Sequence, residues 1–253
     1  MLDARQRRAL IDQGFVLLPG LVPEPLVDNA RRTINAQLGS EGIAKDQLPS
    51  YRARTFTPEL CAHPAITGLF GQSPLGAVAE AAIGVGQVRP PVEGQIALRF
   101  PSFPGPGPVS PAVPHIDGIS VPGNGVPPGT LAHFTALAAV FLSPVAVADR
   151  GNFTVWPGSH RVIQEYFRAH GPTGMVDRFP DLDLGGGQAI CAQPGDALLA
   201  HYALAHGIAP NLGPDVRYAV FFRLRHQAHE SFGTRPLTDL WLEWAGLAQD
   251  AQI

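Results

Sequence analysis

From residue 94 to residue 226 the chain consists largely of short apolar runs that end at Gly, Pro, Asn or Asp. Runs of this kind are typical of β-strands. Only one short helix is predicted among them, after Pro157-Gly158-Ser159, with Ser159 as its N-cap. Strands without long intervening helices favour an antiparallel sandwich or barrel over a βαβ fold. The runs are GQIALRF, HFTALAAVFL, GNFTVW, QAICA, DALLAHY and RYAVFFRL.

The first third of the chain shows helical spacing instead. Apolar positions predict a helix over residues 3–13, a strand over residues 15–18 and a second helix with Pro23 and Pro25 in its first turn. Residues 63–83 predict further helix with a break near Ser73-Pro74. A last helix is predicted over the C-terminal apolar residues Leu237, Leu240, Trp241, Trp244 and Leu247. We therefore expect one domain, residues 1–253, with a mainly helical flank (1–93), a strand-rich core (94–226) and a C-terminal helix (227–253).

Composition excludes several classes of protein. The 26 prolines and 28 glycines form dense clusters in residues 101–114 and 122–129, which indicates loops on a β scaffold. The 18 basic and 21 acidic residues are scattered, which argues against a nucleic-acid surface. The longest apolar stretch contains polar residues and proline, and the N-terminus lacks a secretory pattern, so we expect a cytoplasmic protein without a membrane helix. Two distant cysteines do not make a disulfide framework.

The clearest chemical signal is the pair His115 and Asp117 in PHIDG. In an extended strand, residues i and i+2 point to the same face, so an imidazole and a carboxylate converge. Such a pair supplies two of the three ligands of the 2-His-1-carboxylate triad that holds Fe(II). Alone the pair is weak, because a loop histidine beside a turn aspartate gives the same letters.

The second histidine is expected in HYALAHGIAPNLGPDVRYAVFFRL. A strand there delivers His206, and a returning strand begins at Arg217, whose planar guanidinium suits bidentate binding of a carboxylate. His201 is the competing ligand, but it lies five residues earlier and would face the other side of a regular strand. The remaining histidines have no partner at ligand spacing and are interpreted as surface or core residues.

These motifs, taken in order, are similar to the phytanoyl-CoA dioxygenase-like family of non-haem Fe(II)/2-oxoglutarate oxygenases, and the resemblance covers most of the chain. The opening Gly14-Phe15-Val16 and Pro19-Gly20 after a helix resembles the family's N-terminus. The ordered matches that follow are His115-Ile116-Asp117, Gly151-Asn152-Phe153, Trp156-Pro157-Gly158-Ser159-His160-Arg161, Gly195-Asp196, His206-Gly207, Asn211 and Arg217.

The resemblance implies a mainly β fold with flanking helices, built on a double-stranded β-helix (a cupin-like jelly roll). It implies that His115, Asp117 and His206 bind Fe(II) and that Arg217 holds the distal carboxylate of 2-oxoglutarate. Gln95, Arg99 and Thr135 are further candidates for contact with the co-substrate or substrate. With O2, such an enzyme would hydroxylate an unactivated C–H bond of a small molecule and release succinate and CO2.

Alternatives remain open at this point. One alternative is a cupin-like metal enzyme that does not use 2-oxoglutarate and would therefore not need Arg217. Another is a non-catalytic jelly-roll module that binds a small molecule, in which His115, Asp117 and His206 would be incidental. Where the family has an acidic stretch, this chain has Leu142-Ser143-Pro144, so the resemblance does not define the substrate. The sequence also does not define the oligomeric state or the number of oxidations. The loops 101–114 and 122–129 flank the metal motif and are interpreted either as a lid or as surface connections.

Overall fold

A computed structural model describes residues 2–43, 55–102, 111–122, 124–248 and 250 of the chain. Its α-helices are α1 (Ala4–Gln13), α2 (Glu24–Glu41), α3 (Pro64–Gly71), α4 (Leu75–Ile83), α5 (Ser159–His170) and the short α6 (His229–Phe232). Its strands are β1 (Phe15–Leu18), β2 (Val88–Arg89), β3 (Gln95–Arg99), β4 (Ala136–Phe141), β5 (Phe153–Val155), β6 (Gln188–Ala189), β7 (Ala197–His201), β8 (His206–Ile208) and β9 (Arg217–His226).

The strands form two antiparallel sheets. The larger sheet has the order β1-β7-β4-β9, and both β2 and β3 pair with the other edge of β9. The smaller sheet has the order β6-β5-β8. Neighbours in both sheets are distant in sequence, so the chain crosses repeatedly between the sheets, as in a jelly roll. The predicted fold class, mainly β with flanking helices, is confirmed.

Two apolar cores lie on the two faces of the larger sheet. Along β4, alternate residues such as Ala138 and Val140 belong to the core beneath α1–α4, whereas Leu137 and Phe141 belong to the core between the sheets. Because successive side chains of a strand point to opposite faces, a strand that is buried on both sides is apolar throughout. The run ALAAVF therefore places β4 at the centre of the molecule.

The N-terminal helices begin and end where the sequence predicts. The side chain of Asp3 accepts a hydrogen bond from the backbone N–H of Gln6, and the Gln6 side chain accepts one from the backbone N–H of Asp3. This reciprocal pair is a capping box, which satisfies two donors at the start of α1. Gly14 closes the helix with φ at 83°, a left-handed conformation that favours glycine.

The predicted C-terminal helix is wrong. Residues 229–232 form α6, Arg235–Leu237 form a 3-10 helix, and the described chain beyond them forms turns. These turns carry i to i+3 hydrogen bonds, for example from the backbone N–H of Trp244 to the carbonyl oxygen of Trp241. Gly233 and Pro236 interrupt a helix at its start. A side chain at Gly246 would meet the Ala81 carbonyl oxygen at 2.3 Å, because the segment packs closely on α4.

Ser159 is also placed differently from the prediction, since the N-cap of α5 is Gly158 and Ser159 is the first residue of the helix. Its hydroxyl accepts a hydrogen bond from the backbone N–H of Ala205, at 2.9 Å. This bond ties the start of α5 to the residue just before β8. Separately, no helix in the described part of the chain is both long and apolar enough to cross a bilayer.

Candidate metal centre

His115 and His206 lie directly opposite each other in an isolated antiparallel bridge. Each donates its backbone N–H to the carbonyl oxygen of the other, and both distances are 2.9 Å. The imidazole centroids are 4.8 Å apart. Asp117 follows His115 by two residues and points to the same side. The bridge therefore brings together the three side chains that the sequence predicts as metal ligands.

Two glycines make this close approach possible. A side chain at Gly207 would meet the carbonyl oxygen of Val113 at 2.5 Å, so a Cβ at that position would push the two segments apart. Gly118 has φ at 87°, and a Cβ there would meet the carbonyl oxygen of Ala132 at 2.3 Å. Gly118 thus turns the chain immediately after Asp117, in a conformation that other residues rarely adopt.

The ligand atoms of the three side chains lie within 4.8 Å of one another. Oδ1 of Asp117 is 3.5 Å from Nε2 of His206 and 4.0 Å from Nε2 of His115. His206 is 8% exposed at its side chain and Asp117 18%, whereas His115 is 45% exposed. Solvent, and any small molecule, therefore reaches the site on the side of His115.

Hydrogen bonds orient both imidazoles in the same way. Nδ1 of His115 lies 3.2 Å from the carbonyl oxygen of Val113, and Nδ1 of His206 lies 3.0 Å from that of Leu204. A carbonyl oxygen only accepts, so each Nδ1 carries the hydrogen and each Nε2 presents a lone pair to the site. Metal-binding histidines commonly have such a partner on the other ring nitrogen.

The electrostatics favour a cation at this position. Burial, followed by the neighbouring His206, lowers the pKa of His115, which keeps its imidazole neutral at neutral pH. Burial alone would raise the pKa of Asp117, but the charge of Arg223 and the two imidazoles outweigh it and lower that pKa. The site therefore offers one carboxylate and two imidazole nitrogens, the set typical of non-haem Fe(II).

Arg223 and Tyr202 are functional candidates that the sequence did not identify. Arg223 donates from Nε to Oδ2 of Asp117, at 3.0 Å, and its Nη2 lies 2.7 Å from the same oxygen in an ion pair. The hydroxyl of Tyr202 donates to the backbone carbonyl oxygen of Asp117, at 3.1 Å. A signal for Arg223 was available, because it is a charged residue in an apolar strand and lies an even number of positions after Arg217.

His201, the competing ligand, lies elsewhere. It is 4% exposed and stacks on Trp244, with ring centroids 5.3 Å apart. Its Nδ1 accepts from the backbone N–H of Ala203 and its Nε2 donates to the carbonyl oxygen of Leu240. Both nitrogens are thus used in the fold. Among the described residues, the group of side chains that could hold a metal is His115, Asp117 and His206.

Arg217 is a buried cation on the same inner face of β9 as Arg223. It is 4% exposed, and it donates from Nε to the carbonyl oxygen of Gly151 and from Nη1 to that of Ala97. Within the described chain no carboxylate forms an ion pair with it. Burial, and then the charge of Arg99 opposite it in β3, lower the pKa of Arg217 to about 10. A buried cation without a counter-charge is costly, so the position suits an anion.

Of the other three residues predicted to contact the co-substrate or substrate, two lie on the same face of the sheet as Arg217 and one does not. Arg99 is paired with Arg217, and Gln95 lies opposite Phe221 further along the same strands. Thr135 is 1% exposed, and its hydroxyl donates to Glu243 while accepting from the backbone N–H of His226. The structure therefore brings Arg99 and Gln95 to the face that carries Arg217, but it does not bring the Thr135 hydroxyl there.

Comparison with known proteins identifies the family of the chain and structures of similar fold. The sequence signature of the phytanoyl-CoA dioxygenase (PhyH) family matches residues 11–219. A search of curated protein sequences gave no match. Among solved structures, AviO1 from Streptomyces viridochromogenes Tue57 is similar with a TM-score of 0.58 and 16% identity, covering 90% of this chain and 97% of that one.

Two further structures are similar. The non-haem α-ketoglutarate-dependent carbocyclase SnoK from nogalamycin biosynthesis has a TM-score of 0.56 and 21% identity over 90% of this chain and 85% of its own. HygX from Streptomyces hygroscopicus, solved with nickel and 2-oxoglutarate, has a TM-score of 0.56 and 21% identity over 88% of this chain and 86% of its own. These likenesses support the fold, and the signature match over most of the chain shows that it belongs to the phytanoyl-CoA dioxygenase family.

Proposed function

We propose that this protein is an Fe(II)- and 2-oxoglutarate-dependent dioxygenase that hydroxylates an unactivated C–H bond of a small molecule. The observation that carries the proposal is the convergence of His115, Asp117 and His206 in a chain whose family signature spans residues 11–219. When bound, iron and 2-oxoglutarate supply O2 activation, with release of succinate and CO2, and the abstraction of hydrogen from the substrate. The protein supplies binding, orientation and a dry pocket.

In this proposal the two Nε2 atoms and Oδ1 of Asp117 hold the metal on one face and leave the opposite face open. The reciprocal backbone bonds of His115 and His206 fix the spacing of the two rings. The chain therefore forms the site before any ligand arrives, which lowers the entropic cost of binding. Keeping a carboxylate at Asp117 also leaves no ligand position for a halide, so hydroxylation is preferred to halogenation.

Arg217 is the proposed anchor for the distal carboxylate of 2-oxoglutarate. Its side chain lies on the inner face of β9 that also carries Ala219, Phe221 and Arg223, the last of which contacts Asp117. Ala219 and its cross-strand partner Ala97 place small side chains on that face next to Arg217. Arg99 and Gln95 are proposed to add contacts there. The structure gives Thr135 no such contact, so its role stays a prediction.

The substrate is proposed to be a small molecule with apolar surface. Val113 and Val121, on either side of the metal motif in the sequence, are 68% and 47% exposed and are proposed to contact the substrate. One similar structure, HygX, was solved with the small molecule hygromycin B bound. The similar structures also include a carbocyclase and an epimerase. Identification of the product formed from a substrate therefore decides whether the reaction is a hydroxylation. A cytoplasmic location stays a prediction.

The proposal is tested by following 2-oxoglutarate turnover without a known substrate. Purified protein with Fe(II), ascorbate and O2 should convert 2-oxoglutarate slowly to succinate, and Asp117→Ala should abolish this conversion. Addition of candidate substrates in a screen should accelerate succinate release and give a product heavier by one oxygen atom. A protein that binds neither Fe(II) nor 2-oxoglutarate by calorimetry would exclude the proposal.

A further inference from the structure

The two carboxylate oxygens of Asp117 face different partners. Oδ1 faces the imidazoles, at 3.5 Å from Nε2 of His206 and 4.0 Å from Nε2 of His115. Oδ2 accepts a hydrogen bond from Nε of Arg223 and forms an ion pair with its Nη2. Arg223 therefore contacts Oδ2 alone with one edge of its guanidinium and does not bridge the two carboxylate oxygens of Asp117. Such an arrangement fixes the rotation of the carboxylate about its Cβ–Cγ bond.

Packing holds Arg223 itself in place. Its guanidinium carbon lies 5.9 Å from the centre of the Phe134 ring, a contact that stabilises a cation over an aromatic face. Residue Leu224 is paired with Ala136 of β4, which anchors this part of β9 in the larger sheet. Arg223 thus lies in a strand that is paired within the larger sheet. Asp117, by contrast, lies in a turn between an isolated bridge and Gly118.

We propose that Arg223 is a positioning residue that holds Oδ2 of Asp117, so that the carboxylate offers only Oδ1 to the metal. The inference rests on the proposed metal site and concerns a residue that the family motifs did not point to. A carboxylate that binds through one oxygen leaves one more coordination position open than a carboxylate that binds through both. The expected consequence is a correctly oriented ligand and space for the co-substrate and O2.

Charge and positioning predict opposite changes in metal affinity, which makes the idea testable. A cation beside a cation site repels the metal and competes for the carboxylate, so its removal would tighten metal binding if charge alone mattered. Loss of a partner that orients a ligand weakens metal binding, typically by about 10- to 100-fold. The sign of the change therefore decides between the two roles.

The experiment measures Co(II) and Ni(II) affinity by calorimetry in the full-length protein and three variants. Arg223→Met removes the charge and the hydrogen-bond donors but keeps a side chain of similar length. Arg223→Lys keeps the charge but loses the planar guanidinium, whose neighbouring nitrogens both face Oδ2. Arg225→Met is the matched control, because Arg225 is an exposed arginine two residues along the same strand that does not contact Asp117. Thermal melting of the metal-free variants shows whether they fold.

We expect Arg223→Met to bind Co(II) about 10- to 100-fold more weakly and Arg223→Lys to be intermediate, with Arg225→Met unchanged. The visible absorption of bound Co(II) should also weaken in Arg223→Met, as the coordination number rises when Asp117 binds through both oxygens. Unchanged or tighter binding in folded Arg223→Met or Arg223→Lys would overturn the inference, as would an equal loss in Arg225→Met. Failure of the parent protein to bind Co(II) would instead count against the metal site itself.

Discussion

At the scale of single residues, the two imidazoles of the site differ from that of His201 in what their nitrogens bind. In His115 and His206, Nδ1 is bonded to a backbone carbonyl oxygen and Nε2 faces Asp117. In His201, both nitrogens are bonded to the backbone of the fold. A histidine with both nitrogens committed cannot bind a metal without breaking a buried hydrogen bond.

The first prediction follows from this difference. His206→Ala should abolish tight Co(II) binding because a ligand is lost, and it should also lower the stability, because the His206 ring is buried and packs on Phe153. His201→Ala should keep Co(II) binding but lose about 2–4 kcal/mol of stability, because a stacked, doubly bonded ring is removed from the core. Equilibrium dialysis and urea unfolding measure the two quantities. Retained metal in His206→Ala together with loss in His201→Ala would show that the ligand assignment is wrong.

The second prediction concerns the buried cation. Arg217→Lys keeps the charge but loses the planar fork, so 2-oxoglutarate affinity should fall by about 1.5–3 kcal/mol, the range of a charged hydrogen bond. Metal affinity should stay at the parent value, because Arg217 does not contact the triad. The measurement is calorimetric titration of 2-oxoglutarate into the anaerobic Fe(II) protein. An unchanged affinity would move the anchor to another arginine, with Arg99 the nearest along the sheet.

The triad could be predicted from sequence because Asp117 lies two residues from His115, and alternation along a strand then dictates convergence. The contact of Arg223 with Asp117 could not be predicted, although its side of β9 could. That contact depends on the position of β9 relative to the turn that contains Asp117, which lies far earlier in the chain. The position of β9 is fixed by its pairing with β4 and β3 and not by local sequence.

At the scale of elements, the site depends on how closely two backbone segments approach. The segment ending at Asp117 lies over Gly207 at a distance that leaves no room for a Cβ, as the 2.5 Å approach of the Val113 carbonyl oxygen shows. The bridge between His115 and His206 requires this approach. A small residue next to the second histidine is therefore a geometric requirement of the metal site.

The third prediction tests this requirement. Gly207→Ala should separate the two segments, weaken Co(II) binding by at least about 10-fold and destabilise the fold by about 1–3 kcal/mol, the usual cost of overpacking. The matched control is Gly39→Ala in the exposed face of α2, where a Cβ meets nothing within 4 Å. That change should leave metal binding unaltered and raise stability by up to about 1 kcal/mol, because alanine favours helix. Equal effects of the two changes would contradict the proposed role of Gly207.

Helix prediction succeeded where caps and breaks are local. The capping side chain of Asp3, the left-handed Gly14 and the break before Leu75 all act within a few residues. It failed at the C-terminus because the apolar spacing there reflects tertiary packing. Glu243, 2% exposed, forms an ion pair with His229 and accepts from Thr135, and these buried contacts to distant elements favour successive turns over a regular helix.

At the scale of the whole molecule, the sequence predicted the class of fold but not the order of its strands. Apolar runs and turn residues identify each strand, and the absence of long helices between most of them favours an antiparallel arrangement. The order β1-β7-β4-β9 joins strands that are far apart in the chain, so it follows from which faces must be buried together. The inclusion of β1, a strand of the helical flank, in the larger sheet was not predictable from local pattern.

The last prediction is a property of the whole fold, which buries three histidines in neutral form. Burial, and then the neighbouring imidazole of His201, lower the pKa of His160 to about 3. Burial lowers the pKa of His201 to about 4, and burial with the nearby His229 lowers that of His133 to about 4. In the unfolded chain all three return to about 6.5.

The unfolded state therefore binds more protons than the folded state below about pH 6.5, and the free energy of unfolding must fall as the pH falls. At about pH 5.5 each such histidine costs up to about 1.4 kcal/mol relative to neutral pH, and less for His133, which is only partly buried, so the three together cost at most about 4 kcal/mol. Urea unfolding between about pH 7.5 and pH 5.5 measures this slope, in a range above the ordinary titration of carboxylates. His201→Gln should lower stability at neutral pH yet reduce the slope by about a third. A stability that does not depend on pH in this range would mean that the buried histidines take up protons in the folded state as readily as in the unfolded chain.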